Sequence, residues 1–247
     1  VFIDHYSRHR YVHLQESITS AETLQAKHAY EAHCQSLGVR IRNYHGDNGR
    51  FVDNAWMKDC QAQGQITTYC GVNAHWQNGI AEKTIRDLRD DARTALPHSI
   101  SKWPSAVSTK LWPYVLRHAA NVFNSLPRKE GMSPIELFSQ VNVAPSLKTL
   151  HTFACPVYAL DSQLQARHPV SRWQARARLG LNLGISPRHS RSVTLVLNLN
   201  TGLVSPQYHV KHDEFFETVD RSTPTPFAPW MTLAGCCKRE IQRVISL

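Results

Sequence analysis

The chain has 247 residues, 42% of them hydrophobic, which is enough for two modest domains with cores of their own. Lys and Arg number 28 against 19 Asp and Glu, a formal net charge of +9 and a pI of about 9.4, so the balance favours a polyanionic partner such as nucleic acid. No window approaches the ~18 consecutive apolar residues of a membrane span, and residues 1–15 show no charged stretch leading into an apolar run, so they do not read as a signal peptide.

The opening residue is Val1, already inside an apolar strand-like run, which reads as a piece cut from a longer protein. Cys34, Cys60, Cys70, Cys155, Cys236 and Cys237 contain no C-x-x-C pair and no zinc-ligand spacing. Reduced thiols in an intracellular protein are the expectation.

In chain order, Val1–Tyr6 and Arg10–Gln15 are strand-like runs joined by a turn at Ser7–His9. Ser20 is a candidate cap for a helix to about Leu37, which Gly38 ends. Val39–Tyr44 reads as a strand, Asp53–Gln63 as a helix capped by Asp53 or Asn54, and Ile66–Cys70 as a strand rich in Thr and Tyr. After the polar loop Gly71–Gln77, Asn78–Leu96 is a long helix with Asn78 as candidate cap. Leu111–Leu126 is another, with Leu111, Val115, Ala119 and Val122 at helical spacing. Beyond Pro145 the pattern changes to short strands, at Val157–Leu160, Leu179–Leu183, Val193–Leu199, Leu203–Val204 and Tyr208–Val210, as in a small barrel. Ser222–Pro229 reads as a Pro-rich linker. The expected division is 1–140, an α/β domain; 141–219, a small β domain; and 220–247, linker and tail.

Two segments carry chemistry. His45-Gly46-Asp47-Asn48-Gly49 lies where a strand ends, and a carboxylate there projects over the sheet edge where α/β folds place their sites. Ordinary turn chemistry explains Asp47 equally well. Gln77-Asn78-Gly79-Ile80-Ala81-Glu82-Lys83 opens the long helix, with Glu82 following Asp47 by 35 positions. Between them lie a helix, a strand and a loop, the connection that returns a helix start to a strand end. Converging carboxylates hold hard divalent cations through oxygen, and paired cations of this kind serve phosphoryl transfer. Glu82 as a helix-dipole partner is the alternative. From Glu82, steps of four, seven and eleven give Arg86, Arg89 and Arg93 on one face, next to Lys83. Such a stripe suits DNA phosphates, or else pairs with the interleaved Asp87, Asp90 and Asp91. Arg167, His168, Arg172, Arg176 and Arg178, with Trp173 among them, form a second basic group, in which Trp173 reads equally well as core.

The Asp47 segment and Gln77–Lys83 resemble the second- and third-carboxylate motifs of copia-type LTR retrotransposon integrases, within the retroviral integrase superfamily. Phe2-Ile3-Asp4-His5-Tyr6-Ser7-Arg8 is similar to that family's strand motif. Leu126-Pro127 with Met132–Phe138 is similar to its N-x-L-P … S-P-x-E-L-[WF] stretch. His151–Tyr158, Leu183–Pro187 and Ser205–Val210 resemble successive parts of the SH3-like domain that follows the core. The likeness runs in order over residues 1 to 219.

It implies an RNase H-like mixed sheet flanked by helices, followed by a small SH3-like β-barrel. It also implies metal-dependent DNA 3′-end processing and strand transfer in the intact parent, with Asp47 and Glu82 as catalytic and metal-binding residues. Mg²⁺ or Mn²⁺ would be the cofactor. Lys83, Arg86, Arg89 and Arg93 would meet DNA, the intact parent would be a homo-multimer, and it would be intracellular, in the nucleus for integration or else in a cytoplasmic particle. No membrane is involved. The strand holding Asp4 aligns with the family's second strand. One reading makes Asp4 the first catalytic Asp; the expectation is instead that Asp4 is structural, that the first catalytic Asp and its strand precede Val1, and that this chain by itself binds DNA but does not catalyse strand transfer. His45-Gly46, Arg50-Phe51, Asn73–Trp76 and Ala154 depart from the family pattern; Asp47 and Glu82 do not. A non-catalytic nucleic-acid-binding remnant of a decayed or domesticated element is the competing reading.

Overall fold

Asp4 closes the first hairpin. Its carboxylate accepts from Ser7 N and Ser7 Oγ, both at 2.7 Å, and this turn sets β1 (Phe2–Ile3) antiparallel to β2 (Arg10–Tyr11) with Phe2 opposite Tyr11. The computed structural model describes residues 1–47, 49–71, 74–128, 131–141, 147–166, 168 and 171–219. The expected linker and tail at 220–247, with Asn48 and Arg167, lie outside the described residues. The chain divides into two compact units, Val1–Arg89 with Phe123–Pro145, and Asp90–Val122 with Ser146–Leu247.

In the first unit, α1 spans Ser20–Ser36, and its cap is Thr19 rather than Ser20. Thr19 Oγ1 accepts from Glu22 N at 3.3 Å, while the Glu22 carboxylate accepts from Glu16 N and Ser17 N. That reciprocal arrangement satisfies donors at both sides of the helix start. Ser20 is engaged instead with Asp53. Gly38, at φ +74, follows the C-cap Leu37, as a left-handed terminator does.

The next strand is β3 (Asn43–Gly46), beginning four residues later than expected. Val39 and Ile41 are used elsewhere, packing with Leu37 against Tyr30, Cys34 and Phe138. Asp53 caps α2 (Asn54–Ala62) by accepting from Ala55 N at 2.9 Å. β4 (Ile66–Tyr69) then lies parallel to β3, from Asn43 opposite Ile66 to Gly46 opposite Tyr69. In place of the single mixed sheet expected, the described residues form two two-stranded ladders, β1-β2 and β3-β4. Both feed one aromatic layer over α1: Phe2 stacks on Tyr30 at 4.5 Å and meets Tyr44 at 6.3 Å.

Helix α3 covers Gly79–Lys102. Asn78 is not its cap but the last residue of a 3₁₀ turn, His75–Asn78. The helix also runs past the expected end at Leu96, through Pro97. Losing one backbone donor at Pro97 is outweighed by the turn that follows, where Ser99 is buried and its hydroxyl bonds Ala95 O and Phe153 O. Helix α4 (Trp112–Ser125) buries Val115 and Ala119, and Leu111 ends the 3₁₀ turn before it. In α5 (Pro134–Ser139) the S-P-x-E sequence is a capping box. Ser133 N and Oγ both donate to Glu136 Oε2, at 2.8 and 2.6 Å, and proline fills the first turn where no donor is needed.

In the second unit, β5 (Pro156–Leu160), β6 (Ala177–Ile185), β7 (Thr194–Asn198), β8 (Val204–Gln207) and β9 (Val210–His212) form one antiparallel sheet in the order β8-β7-β6-β5-β9. A one-turn helix, α6 (Ser162–Gln165), follows β5. The expected closed barrel is thus an open five-stranded sheet among the described residues. Pro206 in β8 has no N–H to offer a further strand, which suits an edge position. Leu181, Leu183, Leu195 and Leu197 pack with Leu111, Val115, Phe153 and Phe216, all buried; burying one such side chain contributes about 1.5–3 kcal/mol. Ala154 sits at φ +55, the left-handed region a glycine adopts without strain. The resemblance has glycine at this position.

Candidate functional site

Asp47 follows the last residue of β3, and its position is fixed from below. The Gly46 backbone passes so close to the Phe51 ring that a Cβ there would come within 2.9 Å of it. Cys70 N donates to Gly46 O at 3.0 Å, carrying the parallel ladder one residue beyond β4. Tyr69 OH donates to Phe51 O at 2.6 Å, tying the loop after Asp47 back to β4. Asp47 itself is exposed, and its Oδ1 accepts from Gly49 N at 3.3 Å. The turn role and an outward-facing carboxylate therefore coexist, because one weak local bond leaves most of the acceptor capacity open.

β3 and β4 run parallel and in register, so both end at one edge of their ladder. Past β4, Gly71 N donates to Gln77 Oε1 at 2.8 Å, which ties the glutamine that opens the second motif to the strand end. The chain turns through His75–Asn78 into α3, and Glu82 lies in that helix's first turn, exposed, with no hydrogen bond or ion pair among the described residues. Asp47 thus leaves one strand, and the segment leading to Glu82 leaves its neighbour, at the same edge. Their oxygens are hard donors of the kind Mg²⁺ and Mn²⁺ take. Among the described residues neither carboxylate belongs to a cluster of three His, Cys, Asp or Glu ligand atoms.

Along α3, Thr84, Leu88, Ala92, Leu96 and Ser99 form the buried stripe. Glu82, Lys83, Arg86, Arg89 and Arg93 are exposed; Glu82, Arg86, Arg89 and Arg93 are offset from that stripe by about a third of a helical turn. Part of this face is internally paired. Lys83 reaches Asp87 at 3.6 Å, and Arg89, Asp90 and Asp91 each make further polar or electrostatic contacts. Asp87 is also held by Arg10 at 3.4 Å.

That last contact has no signature in the sequence. Arg10 is buried, with its guanidinium carbon 3.3 Å from the Phe123 ring centroid, and Arg128 covers the same ring at 4.6 Å. Asn124 bonds both Arg10 N and Arg10 O, at 2.9 and 2.8 Å, and so acts as one more ladder partner for β2. Phe51, Tyr69 and Gln77 have no sequence signature as supports either, although Gln77 stands inside a motif. Asp4 serves the hairpin turn. In the second unit Arg172, Trp173 and Arg176 are exposed; Trp173 is 96% exposed and is not a core residue. No helix among the described residues is long and apolar enough to cross a membrane.

No family model matches the chain, and no curated protein matches it. Among solved structures it is similar to a chain in the cryo-EM structure of the simian T-cell lymphotropic virus intasome in complex with PP2A regulatory subunit B56 gamma. The identity is 16% and the TM-score 0.45, over 85% of this chain and 70% of that one. A likeness of that size carries no argument about chemistry.

Proposed function

We propose that the chain is part of a copia-type retrotransposon integrase, a DNA-binding core whose Asp47 and Glu82 contribute to a divalent-metal site for polynucleotidyl transfer. The observation that carries this reading is the shared ladder edge. Two motifs 35 positions apart in sequence issue from neighbouring parallel strands, and the Gln77 and Tyr69 bonds tie down the loops that present them. The ordered series of resembling segments over residues 1 to 219 supports it, as does the net charge of +9. Bound there, Mg²⁺ or Mn²⁺ would stabilise charge at the reacting phosphate. The protein's own part is to hold Asp47 outward on the turn, to place Glu82 on the helix start, and to offer Arg86, Arg89 and Arg93 to the phosphate backbone. DNA is the proposed partner and self-association the proposed mode of action, in the nucleus. The second reading, a binding remnant without catalysis, draws on the pairing of Lys83 with Asp87 and on the two-carboxylate donor set.

Fe²⁺ bound in place of Mg²⁺, supplied with hydrogen peroxide as oxidant and ascorbate to recycle the iron, generates hydroxyl radicals that cut the nearby backbone, so it tests whether the two carboxylates share an ion. Cuts are expected both near residues 45–49 and near 79–84, and Asp47→Asn or Glu82→Gln should abolish both sets together. Cutting at neither segment, or loss of one set alone in a variant, would refute a shared site and leave the remnant reading.

A further inference from the structure

Away from the ladder edge, α1 and α2 meet around a fully buried ammonium. Lys27 Nζ bonds Glu31 Oε1 at 2.8 Å and Asp59 Oδ2 at 2.5 Å, and its side chain has no solvent exposure. Glu31 Oε1 also accepts from Tyr44 OH at 3.0 Å and from Gln65 Nε2 at 2.6 Å. Among the described residues every hydrogen bond to Glu31 therefore falls on one oxygen, and Oε2 takes none. Asp59 uses both oxygens, Oδ2 to Lys27 and Oδ1 to His28 Nε2 at 2.9 Å. Glu31 Oε2 and the facing pair Asp59 Oδ1 and His28 Nε2 are thus the atoms that the ammonium does not engage. Ligand atoms of His28, Glu31 and Asp59 lie within 4.8 Å of one another.

We propose that His28, Glu31 and Asp59 bind a first-row transition-metal dication of the Zn²⁺ type, at a site separate from Asp47 and Glu82 and independent of the integrase reading. Several features beyond proximity support it. The donor set mixes one imidazole with two carboxylates, which suits Zn²⁺, Co²⁺ or Fe²⁺ and not Mg²⁺, an ion that prefers an all-oxygen shell. Charge also favours a dication: two carboxylates against one ammonium leave a net negative centre when His28 is neutral. The carboxylates are already oriented by partners on their inner oxygens, as the outer shell of a metal site orients its ligands. Lys27, Tyr44 and Gln65 do this for Glu31, and Lys27 does it for Asp59. Gln65 Oε1, at the other end of the amide that bonds Glu31, is buried with no partner, one more oxygen without a donor beside the site. An open groove of about 590 Å³ runs past His28, Glu31, Gln35, Arg40 and Gln65, and so reaches two of the three ligands. On α1, His28 and Glu31 are three positions apart and so share a face.

Co²⁺ reports its own coordination through its visible absorption and can be titrated into the chelator-treated full chain. One equivalent should bind with ligand-field bands, Zn²⁺ should displace it, and millimolar Mg²⁺ should not. The His28 side chain is 52% exposed, so His28→Gln should leave the circular dichroism spectrum unchanged. It should weaken Co²⁺ binding by at least about tenfold. Absence of stoichiometric binding overturns the proposal. So does a His28→Gln chain that binds Co²⁺ with unchanged affinity and spectrum, which would mean an adventitious ion only, held by other histidines or thiols.

Discussion

Lys27→Met should destabilise the chain by about 3 kcal/mol near pH 7, the loss typical of removing one partner from a buried charge cluster. Methionine fills the volume of the lysine stem, so the loss reads charge and not a cavity. Glu31 and Asp59, 21% and 19% exposed in the side chain, would keep their negative charges without the shared ammonium. In the parent, burial works against the Lys27 ammonium, but its bonds to Asp59 and Glu31 outweigh that and raise its pKa. Burial likewise opposes charge on Asp59, and the bonds from Lys27 and His28 prevail and lower it. A carboxylate whose folded pKa is lowered gives stability that is present above its unfolded pKa and lost as pH falls through the folded one. The gap between parent and variant should therefore be widest near neutrality and should close as acid protonates Asp59. Urea unfolding with chelator present measures it. A gap under about 1 kcal/mol near pH 7, or one that widens in acid, would show that the ammonium is not what holds the two helices together.

Acid should also loosen the second unit, starting well above the carboxylate range. Burial lowers His118 to about 4, with Glu214 opposing and His151 adding to the shift. Burial lowers His212 to about 4 as well, again with His151 adding and Glu214 opposing. The geometry behind this is a tight group. His151 and His212 stack at 3.5 Å between ring centroids, His151 Nδ1 meets Glu214 Oε1 at 2.5 Å, and Glu214 Oε2 accepts from Thr152 N at 2.6 Å. Asp213 is adjacent, and its own carboxyl is lowered by bonds from Thr218 against the effect of burial. A histidine whose folded pKa lies below its unfolded value of about 6.5 loses stability as pH falls from that value to the folded one. Each of the two should remove up to about 3 kcal/mol over that interval, at about 1.36 kcal/mol per pH unit. His118→Gln should flatten the slope by nearly half while leaving neutral stability within about 2 kcal/mol of the parent. Thermal unfolding followed from neutral pH to about pH 4 reads both. A melting temperature that stays level over that window would contradict the burial of these imidazoles.

Local chemistry is readable from the sequence wherever it stays local. Gly38 as terminator, Asp53 as cap and the Leu111–Val115–Ala119 stripe follow from residue type and spacing alone. Boundaries fail where a long-range contact decides them. Val39 and Ile41 look like strand residues but are drawn into the Tyr30–Cys34–Phe138 cluster. Pro97 looks like a helix end but is overridden by burial of Ser99 and its bond to Phe153. Ser20 reads as the cap from residue type, but Asp53, 33 positions later, engages it and the cap falls to Thr19. At the candidate site the motif residues are legible, while Phe51, Tyr69 and Arg10 act through contacts that exist only once the chain is folded. The His28–Glu31–Asp59 group is equally hidden, because its ligands come from two helices with no motif joining them.

A chain that grips nucleic acid along the exposed face of α3 holds it by its phosphates. Equilibrium binding to duplex DNA, measured across a range of monovalent salt, tests this most directly. The parent should bind with little preference for sequence, and its log affinity should fall linearly with log salt, as counterion release requires. Replacing Arg86, Arg89 and Arg93 together by alanine should make that slope shallower by about 2–3, near one for each phosphate that an arginine no longer neutralises. A parent whose binding ignores salt, or a triple variant whose slope equals the parent's, would contradict it.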